Sequence, residues 1–314
     1  MASIAKKLTD LLGPLPSGDE AFSLKMRIHQ GWWRMAVLGE EAGPRPKNSS
    51  ETVCNTIKVD DDTHKNFVSE NSWKAFEATV RNRDRQSTGI IEEDRARTNL
   101  LSSQPMCFNF FGELKAELGF AAEVLRNWIP DVARVLDVHF EYGLPADEAF
   151  DKSAFDVAFE FESDSGRGLL GLEVKYTDDF SPVATYQEAS YQKLHARYAH
   201  AFSRSYEEYQ VKRYNELFRN QLIAEWLIEH KRIDHAITGV FCHHEDNRTL
   251  AAASAFQSEM LKDGEKKFRI ITYENFFDAI QKMDLTWERR EWVMLLWARY
   301  CGLRLSEVVS RAVE

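Results

Sequence analysis

An aspartate, a glutamate and a lysine lie close together mid-chain, on two segments that read as neighbouring β-strands. The first segment is Phe155-Asp156-Val157-Ala158-Phe159-Glu160-Phe161-Glu162, and the second runs from Gly168 through Glu173-Val174-Lys175 to Tyr176. Phe155, Val157, Phe159 and Phe161 alternate with Asp156, Ala158, Glu160 and Glu162, the period-two pattern of a strand with one buried face. Leu170, Leu172, Val174 and Tyr176 alternate in the same way with Gly171, Glu173 and Lys175. Burying both apolar faces together puts Asp156 on the face of Glu173 and Lys175 and requires an even number of loop residues. Pairing Glu162 with Leu169 satisfies this, and sets Asp156 opposite Lys175 and diagonal to Glu173. Neighbouring carboxylates repel unless a cation lies between them. Oxygen donors without a His or Cys cluster suit Mg²⁺ or Mn²⁺ rather than Zn²⁺. The lysine would then position or help deprotonate a water, or stabilise developing negative charge.

Glu-x-Lys is also common on solvated strand faces as a plain salt-bridged pair. An acid on the matching face of the preceding strand, the small residues Ala158 and Gly171 around the acids, and strongly apolar opposite faces set this instance apart. The small residues are expected to leave room for a ligand.

Further elements must hold this hairpin. Leu136 to Tyr142 alternates and reads as the first core strand. Ser103, with Pro105 behind it, reads as the start of a helix carrying Gln104, Asn109, Glu113 and Glu117. Helical periodicity runs from about Thr185 to Lys231, opened by Tyr186 and Gln187 and broken near His200. Ile237 to Cys242 is a compact apolar run, as in a buried strand. His243-His244 follows; adjacent histidines on a strand point to opposite faces, so alone they make no joint metal site and are read as a strand end. Phe268–Thr272 is a strand, with helices from Tyr273 to Met283 and Trp287 to Tyr300. Before the hairpin, residues 1–42 read as helical, Gly43 to Ser50 as a loop and Asp60-Asp61-Asp62 as a solvated helix cap. The Ile28–Arg34 segment, with Trp32 and Trp33, could form a stacking platform but is expected to pack inward.

The Asp156…Glu173-Val174-Lys175 set resembles the PD-(D/E)XK nuclease superfamily, with its restriction-endonuclease-like fold. The segment from Ser102-Ser103-Gln104 through Phe108-Asn109-Phe110, with Glu173-Val174-Lys175-Tyr176-Thr177, is similar to one branch made mostly of uncharacterised bacterial proteins. The similarity covers roughly residues 100–300. Phe155 stands where that superfamily has a proline, a frequent variation. The resemblance implies an α/β fold, a central mixed β-sheet flanked by helices, here with a helical N-terminal extension (1–99) before the nuclease-like domain (100–314). It implies catalytic roles for Asp156, Glu173 and Lys175 and a metal held by Asp156 and Glu173. A helix acid often joins the metal in that superfamily, and Glu113 or Glu117 would fill the role; the branch's own motif points to Gln104 and Asn109. The branch also places a polar group beside the site at Gln221 or Arg219.

The 314 residues, 44% hydrophobic, can build a large core, with no apolar run long enough for a membrane helix and no secretion signal at the N-terminus. Cys54, Cys107, Cys242 and Cys301 lie far apart without metal-finger spacing, as expected of free thiols in a reducing cytoplasm. A net charge of −10 argues against broad non-specific nucleic-acid binding but allows a basic groove on an acidic body. No Walker loop, nucleophile elbow or dinucleotide fingerprint is present. These readings converge on a Mg²⁺- or Mn²⁺-dependent nuclease acting on nucleic acid, DNA above all. A homodimer is expected if both strands of a duplex are cut. The alternative is a nuclease-fold protein that binds nucleic acid or a protein partner without cutting.

Overall fold

A computed structural model describes residues 2–45, 48–58, 64–86, 89–180 and 188–309. Helices α1 (Ala2–Leu12) and α2 (Ala21–Ala36) lead into a hairpin of β1 (Ala42–Arg45) and β2 (Asn48–Ile57). Helices α3 (Glu70–Gln86), α4 (Glu93–Thr98), α5 (Ser103–Ala116) and α6 (Leu118–Leu125) precede strands β3 (Val132–Gly143), β4 (Ala154–Ser163) and β5 (Gly166–Val174). Then come α7 (Glu188–Arg197), α8 (Tyr206–Tyr209), α9 (Lys212–Glu229), β6 (His235–Cys242), α10 (Asn247–Ala255), α11 (Gly264–Lys267), β7 (Phe268–Thr272), α12 (Tyr273–Ile280) and α13 (Trp287–Tyr300). The order of the central five-stranded sheet is β3-β4-β5-β6-β7. Its first two pairings are antiparallel and its last two parallel. This is the mixed sheet flanked by helices of a restriction-endonuclease-like fold.

Both sheet faces are covered, which makes the β4–β5 hairpin central. Val157, Phe159 and Phe161 of β4 join Leu170, Leu172 and Val174 of β5 in a core with Phe110 and Phe111 of α5 and Phe276 of α12. On the opposite face Ala158 and Leu169 pack with Tyr191 of α7 and Phe218 and Leu222 of α9. The first core also takes in Met26, Phe67 and Phe76 from the N-terminal third. The His29–Arg34 segment packs inward: Gln30 donates to the Tyr176 hydroxyl (2.7 Å) and the Arg299 carbonyl (2.9 Å), and Arg34 to the carbonyls of Cys54 and Leu12. Among the described residues no helix is long and apolar enough to cross a membrane.

The hairpin is tighter than the expected register. Ser163 pairs with Gly166 across Asp164-Ser165, and Glu160, not Glu162, stands opposite Leu169. Gly166 adopts a φ of +102°, open to glycine at little cost, and this lets the shorter turn form. A slip of two residues preserves the faces, so the same side chains point the same way. It moves Asp156 beside Glu173 instead of Lys175. Phe155 also leaves the alternation. Its ring packs over Gly171, where an added Cβ would lie 2.5 Å from it, so aromatic carbon fills the space read as room for a ligand.

Elsewhere, the Gly43–Ser50 stretch read as a loop contributes to β1 and β2. The helical run after the hairpin breaks between α7 and α9, around His200. Asp60-Asp61-Asp62 and Tyr186-Gln187 lie outside the described residues.

Candidate active site

The site is built at the C-terminal end of β5. Val174 points into the core and is 1% exposed, so Glu173 and Lys175 on either side project to the opposite face. The β4–β5 ladder ends with Val157 opposite Leu172, and Asp156 follows alongside Glu173. There the Asp156 carboxylate takes over from the backbone, its Oδ2 accepting the Val174 N–H at 2.6 Å. Lys175 continues the parallel pairing, its N–H donating to the Phe241 carbonyl of β6. Its ammonium contacts Glu173 Oε1 at 2.9 Å and Glu216 Oε2 at 2.5 Å, and lies 5.0 Å from the Phe180 ring centroid.

Helix α9 supplies the flank. Glu216 and Asn220 are four residues apart and share a face. Asn220 Nδ2 donates to Glu173 Oε2 at 2.9 Å, so α9 orients both Glu173 and Lys175. Arg219 enters from the same helix, its Nη1 3.5 Å from buried Asp151, which also accepts from the Tyr191 hydroxyl. The N-terminus of α5 supplies Gln104, whose amide donates to Glu141 Oε1 and to the Ile90 carbonyl. Glu141, near the end of β3, has a φ of +51°, a conformation that costs a residue with a Cβ about 1–2 kcal/mol. These groups line a cleft of about 710 Å³, with Arg95, Lys152, Asp178, Asp179, Phe180 and Lys212 around them.

The electrostatics follow from crowding acids in a buried place. Burial pushes the Asp156 carboxyl well above its usual range, Glu173 and Glu141 push it further, and Lys175 and the Val174 N–H oppose them. Glu173 is raised by burial and by Glu216, against Lys175 and Asn220. Glu141 is pushed up to about 8 by burial, with Gln104 opposing and Glu173 adding to the rise. Burial works against the Lys175 charge, but Glu173, Glu216 and Asp156 outweigh it and hold the ammonium above its ordinary range. Lys175 is therefore a proton-bearing cation here, not a base. Carboxylates whose charge is disfavoured by burial and by one another are suited to take a divalent cation, which relieves both costs. The donor set of Asp156, Glu173 and Glu141 is all hard oxygen, which fits Mg²⁺ or Mn²⁺.

Of the residues singled out in the sequence, Asp156, Glu173, Lys175, Gln104 and Arg219 come together in the cleft. Asn109, Glu113 and Gln221 do not. Buried Asn109 ties α5 to its neighbours, accepting from the Val68 N–H and donating to the Asn66 carbonyl and the Tyr300 hydroxyl. Glu113 accepts from Asn71 and lies nine residues beyond Gln104, about 13 Å along the helix. Glu117 is further still and pairs with Arg289. Gln221 points away from the cleft, donating to Glu225 and accepting from Thr238, because one helical step turns a side chain by about 100°. Glu141, Glu216 and Asn220 also line the cleft, without a motif to mark them. Glu141 alternates with buried Val138 and Phe140 and so shares the acid face, a legible signal; Glu216 and Asn220 carry only their i, i+4 spacing.

A model of the PD-(D/E)XK nuclease superfamily matches residues 17–302, and the chain belongs to that superfamily. No curated protein and no solved structure matches the chain.

Proposed function

We propose that this protein is a divalent-metal-dependent nuclease that hydrolyses phosphodiester bonds, with DNA as substrate. The observation that carries the reading is the convergence of Asp156, Glu173 and Glu141 on one buried cleft beside a charged Lys175. Asp156, Glu173 and Glu141 would hold Mg²⁺ or Mn²⁺. Bound there, the metal polarises the phosphoryl oxygen and lowers the pKa of a bound water. Lys175, held by Glu173 and Glu216, presents its ammonium to the charge that builds on the phosphoryl oxygens and to the attacking water. Asn220 fixes the Glu173 carboxylate, the kind of outer support that orients a metal ligand. Arg95, Lys152, Lys212 and Arg219 are the cleft cations that would meet the backbone phosphates; acids outnumber cations in the lining, so the bound metal would supply the rest of the positive charge. Cys54, Cys107, Cys242 and Cys301 are all free thiols, in keeping with work in the cytoplasm. A homodimer would bring two such clefts to the two strands of a duplex, and sedimentation reads that directly.

The test is incubation with supercoiled plasmid, linear duplex and single-stranded DNA, with Mg²⁺, Mn²⁺ or EDTA, alongside Glu173→Ala and Asp156→Asn. Metal-dependent cleavage by the wild type, lost in both folded variants, is expected. Cleavage that persists in either variant refutes the assignment of residues. Binding without cleavage of any substrate moves the protein to the non-cutting reading.

A further inference from the structure

A second cluster of ligating side chains lies behind the catalytic strands, where the C-terminal end of β6, the first turn of α12 and the C-terminal end of α13 meet. His243 follows β6, Glu274 is the second residue of α12, and Cys301 follows α13. One donor atom from each lies within 4.8 Å of the other two. We propose that His243, Glu274 and Cys301 form a transition-metal site, with zinc as the fitting ion.

The distances suit a shared ion better than they suit one another. His243 Nε2 is 3.7 Å from Glu274 Oε1, too far for a hydrogen bond, and Cys301 Sγ is 3.6 Å from the same oxygen, a weak contact. Tetrahedral zinc with ordinary Zn–N, Zn–O and Zn–S lengths holds its ligand atoms about 3.4–3.6 Å apart. The His243 side chain is 1% exposed, yet its Nε2 has no hydrogen-bond partner, and neither does Glu274 Oε2. Buried polar atoms without partners are uncommon, and here two of them belong to one cluster. His244 stands beside the cluster, its Nδ1 bonded to Glu274 Oε1 and its ring stacked on His243 with centroids 4.5 Å apart, so it steadies two of the three donors. A set of imidazole, carboxylate and thiol selects zinc or cobalt over the hard cations suited to the carboxylate cleft.

Loading the site has a local consequence. His243 Nδ1 accepts the Glu245 N–H at 3.0 Å, so the neutral ring carries its hydrogen on Nε2. An ion at Nε2 takes that place and moves the ring hydrogen to Nδ1, releasing the Glu245 amide. One backbone hydrogen bond is exchanged for a metal–nitrogen bond. The ion would pin strand ends that adjoin Lys175, since Phe241 of β6 accepts the Lys175 N–H and Tyr273, next to Glu274, donates its hydroxyl to the Lys175 carbonyl. Its role is to tie the fold together, not to react.

The test uses the full chain carrying Glu173→Ala, which disables the carboxylate cleft, stripped of metal and titrated with Zn²⁺ or Co²⁺ alone. The expected result is a single tightly bound ion, a raised Tm, and a thiolate-to-cobalt charge-transfer band in the near ultraviolet. Cys301→Ser should abolish that band, and Glu274→Gln should lower the zinc content. If His243→Gln does not fold, the half-buried Cys301→Ser carries the test alone. A cobalt spectrum unchanged by Cys301→Ser, or no ion retained by the stripped parent, overturns the proposal. Neither result bears on nuclease activity, which is read with Mg²⁺ or Mn²⁺ on the unmodified cleft.

Discussion

Replacing Lys175 by methionine tests the charge balance of the cleft most directly. Lys175 is 5% exposed and pairs with Glu173 at 2.9 Å and Glu216 at 2.5 Å, both acids themselves largely buried. Methionine keeps most of the side-chain volume and removes only the charge. Removing one partner of a buried ion pair costs about 3–5 kcal/mol, because the other is left uncompensated. An unfolding entropy of about 2.1 cal/mol/K per residue over this chain converts that to a Tm lowered by about 5–8 °C. The loss must depend on pH, and its sign follows from the acids. Lys175 stays charged through neutral pH in both folded and unfolded states, so it adds no slope of its own there. Asp156, Glu173 and Glu141 have raised folded-state values, so they bind protons that the unfolded chain has released, and stability falls as pH rises through that window. Without the ammonium, Asp156 and Glu173 rise further. The Tm deficit of Lys175→Met is therefore larger at pH 8.5 than at pH 5.5 in EDTA, and Mn²⁺ recovers part of it at pH 8.5. Thermal melts at the two pH values, with EDTA or Mn²⁺, decide the matter. A deficit equal or smaller at pH 8.5, with no recovery by metal, refutes the claim that these acids depend on Lys175.

Neighbouring residues on α9 should behave in opposite ways. Asn220→Ala removes the support of Glu173 and lowers cleavage by about 10–100-fold with little change in Tm. Gln221→Ala breaks the bonds to Glu225 and Thr238, costing about 1–3 kcal/mol in a denaturant melt while the folded fraction keeps its rate. The reverse pattern would show that the helix presents its other face to the substrate. Gly171→Ala forces a Cβ against the Phe155 ring and should cost about 1–3 kcal/mol in the same melt; a neutral result would mean that Phe155 does not occupy that space. His29 is buried between Ser306 and the Ala298 carbonyl, and burial lowers it to about 4. Acid between about pH 6.5 and 4 protonates the unfolded chain first, so about 3 kcal/mol of stability is lost there, and His29→Gln should flatten that limb of the stability curve.

The sequence by itself determined the faces of the β4–β5 hairpin and, with them, the shared side of Asp156, Glu173 and Lys175. Alternation is a local property, and burial of both apolar sets leaves only one parity. The register within that parity does not follow from alternation. It turned on a backbone conformation at the connecting turn, Gly166 taking a positive φ, and a shift of two residues exchanged the partner of Asp156 without altering the face of any of the three. The helices show the same division. Periodicity located α5 and α9 but not their rotation about their own axes, and one step of rotation separates Asn220 in the cleft from Gln221 in the interior. Asn109 and Glu113 are polar residues whose partners, Tyr300 and Asn71, are far away in the chain, so nothing nearby marked them as structural. The meeting of His243, Glu274 and Cys301 lay beyond any spacing rule, since they come from a strand end and two helix ends. Local residue pattern decided which side chains could do chemistry; only packing of distant segments decided which of them meet.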